Sequence, residues 1–291
     1  MKSSGFVYGI VSSASFGLIP LFTVPLLAGG MPFMSVLTYR FVFATLFLAL
    51  LLLVRRKSFA LRRRDVLPLV LLALFYIMSS LFLIWGYTFM SSGIATTLHF
   101  MYPVITTVIM MFFFHERKSP WRIGAVLTAI AGVYFLSNDG TGGSFDWVGV
   151  LVVLASAVGY ALYLVAIGQM KQLEVRGIRL TFFVFLFSTL LLLAGMACFG
   201  HMAPIGSTTD LTNLLLLAFV PTVVSNISLV EAIKRIGSTL TSVLGAMEPV
   251  TAVIIGILVF SEPLTLPITI GILLIISAVS VIILKLSLIH I

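Results

Sequence analysis

The sequence predicts an all-α integral membrane protein of ten transmembrane helices, arranged as two inverted five-helix repeats with both termini cytoplasmic. Three observations carry this prediction: too few charges for a soluble surface, ten apolar runs of span length, and a match of the chain to itself at a shift of 146 residues.

The chain has 291 residues, of which 9% are charged and 60% are apolar, with a mean hydropathy of +1.23. Ordinary globular chains carry about 25% charge, so 17 basic and 9 acidic residues cannot cover a soluble fold of this size. A helical span needs about 20 apolar residues, whereas a β-barrel strand alternates polarity over about 10. The runs here are continuous and of the longer kind. Cys198 is the single cysteine and has no partner for an intrachain disulfide. The net charge of +8 is scattered over short loops, which gives no nucleic-acid signature. The expected partners are therefore a lipid bilayer and a small-molecule substrate.

In order, the runs are 5–28, 32–54, 66–88, 91–114, 120–137, 146–169, 178–200, 211–233, 238–260 and 264–285. The first follows Lys2 and is too long for a signal-peptide core, so it reads as a retained span. The second ends at Arg55, Arg56 and Lys57, and the third begins after Arg62, Arg63 and Arg64. Arg117 and Lys118 fall between the fourth and fifth, with Arg122 at the start of the fifth, and Lys171 and Arg176 between the sixth and seventh, with Arg179 at the start of the seventh. Lys234 and Arg235 separate the eighth from the ninth, and Lys285 closes the tenth. With the N-terminus inside, 16 of the 17 basic residues are cytoplasmic, while the opposite loops hold Asp139, Asp146, Asp210 and Glu262. The positive-inside rule then sets both termini inside. The longest connections, Arg55–Asp65, Ser137–Phe145 and Gly200–Asp210, leave no room for a soluble domain.

The shift of 146 sets Glu116 on Glu262, Phe114 on Phe260, Pro103 on Pro249, Leu98 on Leu244 and Ser92 on Ser238. Ser119 falls on Thr265, each a candidate N-cap for the helix that follows. Gly17 falls near Gly159 at a slightly different shift. The halves are 1–138 and 139–291, and five spans apiece, an odd number, insert the second half upside down. Two similar halves of opposite orientation suit a carrier whose central site opens to each side in turn.

The stretches GYTFMSSGIATTLHFMYPVITTVIMMFFFHER (86–117) and AIKRIGSTLTSVLGAMEPVTAVIIGILVFSEPLT (232–265) resemble the two EamA-type repeats of the drug/metabolite transporter superfamily. The Arg40-Phe41 pair fits the same pattern. The resemblance covers nearly the whole chain. It implies a cavity lined mainly by spans 1–4 and 6–9, with spans 5 and 10 peripheral, and substrates among amino acids, nucleotide sugars, organic acids or cationic drugs.

No catalytic motif is present, and the four histidines (99, 115, 201 and 290) are dispersed, so neither an enzyme nor a metal or cofactor is expected. Ionisable groups inside a bilayer are costly and mark function. Arg40, His99 and Glu248 are such groups, Glu248 near the middle of its span. Glu231 lies close to Lys234 and Arg235 and reads as an interfacial ion pair. Ser92, Thr96, His99, Tyr102 and Thr106 recur every three or four residues and so share a helix face. At the shift they map to Ser238, Ser242, Gly245, Glu248 and Ala252. Pro103 and Pro249 deprive the carbonyls of His99 and Gly245 of their helical donors, which places a watery cavity there. The candidate substrate and proton residues are Glu248, His99, Tyr102, Arg40, Asn226, Thr96 and Ser242. Tyr76, Trp85, Tyr160 and Tyr163 read as packing or interfacial aromatics.

The expectation is a secondary transporter, an exporter of a small polar metabolite with amino acids leading. Glu248 grips an ammonium group or carries a proton, and Arg40 grips a carboxylate or holds Glu248 ionised. Uphill movement then needs a proton or another ion, and the assembly is a monomer or homodimer in a plasma, bacterial inner, membrane. The alternatives are a lipophilic-cation exporter, against which Arg40 in the cavity argues, and a lipid-modifying membrane enzyme, which needs acids at the interface rather than at the centre.

Overall fold

The computed structural model describes residues 2–114, 120–137, 146–170, 173–200 and 202–289. Glu116, Arg117, Lys118, Ser119, Asp139 and Lys171 lie outside the described residues, as do the side chains of Arg122, Lys234, Ser238, Ser242 and Lys285. The described chain is helical, without strands: α1 (Lys2–Gly17), α2 (Ile19–Ala28), α3 (Phe33–Val54), α4 (Arg63–Gly86), α5 (Ser92–His99), α6 (Tyr102–Phe113), α7 (Pro120–Ser137), α8 (Trp147–Gln169), α9 (Ile178–Phe199), α10 (Thr208–Ala218), a π-helical turn (Phe219–Val224), α11 (Ser225–Leu244), α12 (Met247–Phe260) and α13 (Leu266–Ile289). Seven segments are long and apolar enough to cross a membrane: Ser4–Ala28, Phe33–Val54, Arg63–Gly86, Ser92–Phe113, Trp147–Gln169, Ile178–Cys198 and Thr208–Ile233. Three shorter apolar helices, Ile123–Leu136, Met247–Phe260 and Leu266–Val281, stand where the fifth, ninth and tenth runs were expected.

The breaks follow the prolines, because a proline lacks the N–H that an α-helix needs and crowds the carbonyl four residues back. Leu18 interrupts the first segment ahead of Pro20, Phe100 and Met101 interrupt the fourth ahead of Pro103, and Gly245 and Ala246 precede Pro249. The Gly245 carbonyl takes the Glu248 N–H at 2.9 Å. That freed acceptor is therefore satisfied by a tightened turn. At Pro221 the ladder widens instead. The Leu217 carbonyl, denied the proline N–H, accepts from the Thr222 hydroxyl at 3.0 Å within the π turn.

Between the eighth and ninth runs the sequence predicts a loop at 234–237, but α11 continues through it to Leu244. The chain nevertheless reverses. Gly5 of α1 packs on Arg235 and Ile236, Ser12 donates to the Ser225 carbonyl at 2.9 Å, and Gly9 packs on Leu244. Further along, Gly17 packs on Glu248 and Thr251. Helix α1 therefore runs antiparallel to Ser225–Ile236 and parallel to Leu244–Thr251. A straight helix from Ser225 to Leu244 would be about 28 Å long, too far for both ends to meet the same turns of α1. The direction changes between Ile236 and Leu244, a stretch that contains Gly237-Ser238, the kind of pair at which helices kink.

The closest pairings are α1 with α11, α4 with α8, α3 with α9, α5 with α12 and α7 with α13. Small residues let the backbones meet. A Cβ at Gly159 would lie 2.8 Å from the Ser79 N, and one at Gly132 would lie 3.0 Å from the Gly271 carbonyl. Two apolar clusters fill the interior, one including Leu98, Val104 and Val153, the other including Phe41, Tyr76 and Phe185. The connection after α9 is fastened to the start of α3, where Tyr39 donates to the Ala203 carbonyl at 2.9 Å and the Ala203 N–H donates to Ser35 at 3.0 Å. Elsewhere, Arg62 and Arg64 both bind Glu174, and Arg179 donates to the Ala60 carbonyl at 2.6 Å. These contacts join the segments Arg55–Arg64 and Glu174–Arg179. Arg235 pairs with Glu231 at 3.6 Å, one turn away, as the sequence anticipated. Thr265 opens α13, its hydroxyl 3.5 Å from the Ile268 N–H.

Candidate functional site

A cavity of about 220 Å³ lies among α1, α6, α8, α11 and the start of α12. Ser12, Ser13 and Phe16 come from α1, Tyr102 from α6, and Tyr160 and Leu164 from α8. Helix α11 supplies Ser225, Asn226, Leu229, Ile233 and Thr241, and Gly245 and Glu248 close the wall. Residues from both arms of the reversed α11 thus face one space. Glu248 sits in the first turn of α12, where the free N–H groups of a helix favour a carboxylate. Among the described residues no cation pairs with it. A carboxylate in a low-dielectric, aromatic-walled space is strongly attracted to an incoming cation, since few competing charges or waters screen it.

Three rings shape the wall. Tyr102 meets Tyr160 edge-on at 4.6 Å between centroids, and Phe16 lies 6.5 Å from Tyr160. Tyr160 also touches His99 at 5.6 Å and Tyr163 at 5.8 Å. It is the junction between the cavity and the interior, a role that its sequence context, an aromatic in an apolar run, does not reveal.

The predicted residues divide into three groups. Glu248, Tyr102 and Asn226 line the cavity. Asn226 donates to the Thr222 carbonyl at 2.7 Å. Thr96, His99 and Arg40 lie off it, fully buried. Thr96 pairs with Tyr87 at 3.1 Å, and His99 pairs through Nδ1 with Ser156 at 2.8 Å. The Nε of Arg40 donates to the Thr222 hydroxyl at 2.9 Å. Arg40 thus makes no ion pair with Glu248. Ser242 belongs to the third group, its side chain lying outside the description.

The stripe read from periodicity is also divided. Ser92 binds Glu262, Thr96 binds Tyr87, His99 binds Ser156, and only Tyr102 reaches the cavity. The break at Phe100–Met101 separates the helix that carries the first three from the helix that carries Tyr102. Sequence reasoning passed over Ser12, Ser13, Ser225 and Thr241. A run of serines, Ser12-Ser13-Ala14-Ser15, inside an apolar span was the available signal.

Comparison with known proteins agrees with this architecture. The model of the EamA-like transporter family matches twice, over residues 3–138 and 147–284. An uncharacterized transporter of Clostridium kluyveri is 26% identical over 198 residues, which is 65% of this chain and 62% of that protein. The uncharacterized transporter YojE of Bacillus subtilis is 24% identical over 269 residues, 89% of this chain and 86% of that one. A solved structure described only as that of a protein shares the fold over 100% of both chains, with a TM-score of 0.69 at 17% identity. Seven apolar helices of span length, an interior cavity that carries a carboxylate and a family model that matches twice along the chain lead to one assignment: this multi-pass membrane protein belongs to the EamA-like transporter family.

Proposed function

We propose that the protein is a secondary transporter that carries a small polar metabolite bearing an ammonium group, with amino acids as the leading class and export as the direction. The single observation behind this is Glu248, a carboxylate on the wall of an interior cavity with no cationic partner among the described residues. Such a group recognises an ammonium ion by a charge-assisted hydrogen bond, and Asn226, Tyr102 and the serines of α1 supply neutral hydrogen bonds for the rest of the solute.

Alternating access through two inverted halves is the mechanism that fits this reading. The contact pattern supports it. The third run packs on the sixth as the eighth packs on the first, while the second, fourth and fifth each pack on their own counterparts. That is the exchange a two-fold relation between halves would give. In the same reading ten spans place both termini in the cytoplasm of a bacterial inner membrane, and the carrier works as a monomer or homodimer. Glu248 also serves as the proton site: protonation neutralises it, releases the ammonium group and couples the two movements.

A second reading, an exporter of organic cations, gains from one observation. Arg40 had argued against it, and Arg40 does not line the cavity. Phe16, Tyr102 and Tyr160 around a lone carboxylate also suit a cation, since ring faces attract positive charge.

Counterflow in proteoliposomes tests both readings. Loaded amino acids and amines are exchanged against a labelled solute, with wild-type protein, Glu248→Gln and Arg40→Gln. Exchange of amino acids that Glu248→Gln abolishes supports the first reading. Exchange of amines alone supports the second. Flux through Glu248→Gln at the wild-type rate, with unchanged pH dependence, removes Glu248 from both.

A further inference from the structure

Away from the cavity, one carboxylate ties the two halves of the chain together. Glu262, in the turn after α12, accepts at Oε1 from the backbone N–H and the hydroxyl of Ser92, both at 2.7 Å. Its Oε2 accepts from the Gly93 N–H at 3.2 Å. These residues open α5, whose first N–H groups have no partner within the helix and favour an anion. Helix caps are ordinarily local, but this one arrives from 170 residues away.

The contact is built for close approach. At Gly256 a Cβ would lie 2.8 Å from the Glu262 carboxyl carbon, and at Gly93 one would lie 3.1 Å from Val253. Side chains at either position would push the carboxylate or α12 away. The space left beside Glu262, bordered by Ile94 and Val253, is about 10 Å³, no more than a single water needs. The cavity at Glu248 is about 220 Å³.

We propose that Glu262 is a latch: it positions the start of α5 against α12 and holds this end of the bundle shut while the Glu248 cavity faces the other end. The proposal rests on the transporter reading. Helix α5 carries Thr96 and His99 and leads through Phe100–Met101 to Tyr102, so parting of α5 from α12 at the latch reaches the cavity wall. Glu262 is a positioning residue and does not touch the solute.

The test uses the full chain with Cys198→Ser and a reporter, Ile94→Cys, in sealed vesicles of both orientations. A membrane-impermeant maleimide reports access to the reporter from each face. The latch requires slow labelling when Glu262 is intact and labelling from one face faster by about tenfold in Glu262→Gln, because release shifts the population toward the opened end. Ser92→Ala, which removes one of the three hydrogen bonds, gives a smaller increase in the same direction, and it decides the question alone if Glu262→Gln does not fold. Unchanged labelling in folded Glu262→Gln or Ser92→Ala protein overturns the latch. The readout needs no flux. Faster labelling in a chain that moves no solute keeps the latch and removes the transport reading, whereas flux with unchanged labelling removes the latch alone.

Discussion

His99 donates through Nδ1 to the hydroxyl of Ser156 at 2.8 Å, because that hydroxyl gives its own proton to the Ser79 carbonyl at 2.7 Å. The order of donors sets the tautomer of the neutral imidazole: Nδ1 carries the proton and Nε2 is the acceptor. Nε2 is buried without a protein partner among the described residues, so the ring is oriented with one acceptor unfilled. Phe16 stacks on it at 6.3 Å between centroids.

Ser156→Ala therefore strands the Nδ1 proton in an apolar interior. The expected cost is about 1–3 kcal/mol, the penalty for a buried donor left unpaired. Thermal unfolding in detergent should show a midpoint lower by a few degrees. Adding His99→Leu to Ser156→Ala should recover part of the loss, since no orphaned donor then remains. Strict additivity of the two changes would show that the pair is not coupled.

Arg40 and Thr222 form the second pair. Thr222→Val removes the acceptor of the Arg40 Nε, while Arg40 Nη2 is already without a partner among the described residues. Hydrogen bonds to charged groups contribute about 1.5–3 kcal/mol, and a loss of that order is expected in the unfolding midpoint. Neither side chain lines the cavity. The KM for the transported solute should then stay within about twofold of wild type, because interactions away from the site leave binding untouched. A large rise in KM with unchanged stability would place Arg40 at the solute instead.

Gly17 and Gly159 should tolerate no side chain. A Cβ at Gly17 would lie 2.5 Å from the Glu248 carbonyl oxygen and 2.7 Å from the Thr251 Cβ. Gly17→Ala pries α1 from the start of α12, and Gly159→Ala pries α8 from α4. Each should lower the yield of folded protein and cost about 1–3 kcal/mol, the range for overpacking. Gly195 in α9 has nothing within 4 Å of its missing Cβ. Gly195→Ala should be neutral or stabilising by up to about 1 kcal/mol, through helix propensity. Comparable effects at all three positions would refute the packing argument.

Glu174 gathers Arg62 and Arg64, but all three side chains are exposed. Exposed ion pairs contribute about 0–1 kcal/mol, and Glu174→Gln should move the unfolding midpoint by about a degree or less. A loss of several degrees would mean that the loops from Arg55 to Arg64 and from Glu174 to Arg179 are held mainly by this contact.

Periodicity and prolines made much of the fold legible. The breaks before Pro103 and Pro249 fall where the missing N–H groups require them, and Gly17 and Gly159, near-equivalent in the sequence, both meet a neighbouring backbone. Glu248 stood out because a carboxylate inside an apolar run is costly, and the structure places it on a cavity. What periodicity cannot convey is which neighbour meets a face. Thr96 and His99 share a face in sequence yet bond to Tyr87 and Ser156 on different helices. Glu262 reads as a loop acid, since its partner lies 170 residues earlier. The reversal after Ile236 falls next to the junction that Lys234 and Arg235 mark in the sequence; what the sequence did not convey is that the helical assignment continues through it to Leu244.

The π turn at Phe219–Val224 acts as an indexing step. It places one more residue in its turn than an α-helix would hold, and each residue of an α-helix advances the chain by about 100° and 1.5 Å. Deleting one residue there would rotate everything beyond it by about 100°. Asn226 and Leu229 would swing off the cavity wall, and the Thr222 hydroxyl would lose its bearing on Arg40. The extra residue sets the phase of the helix, so that one face answers to a buried guanidinium and the next lines the cavity.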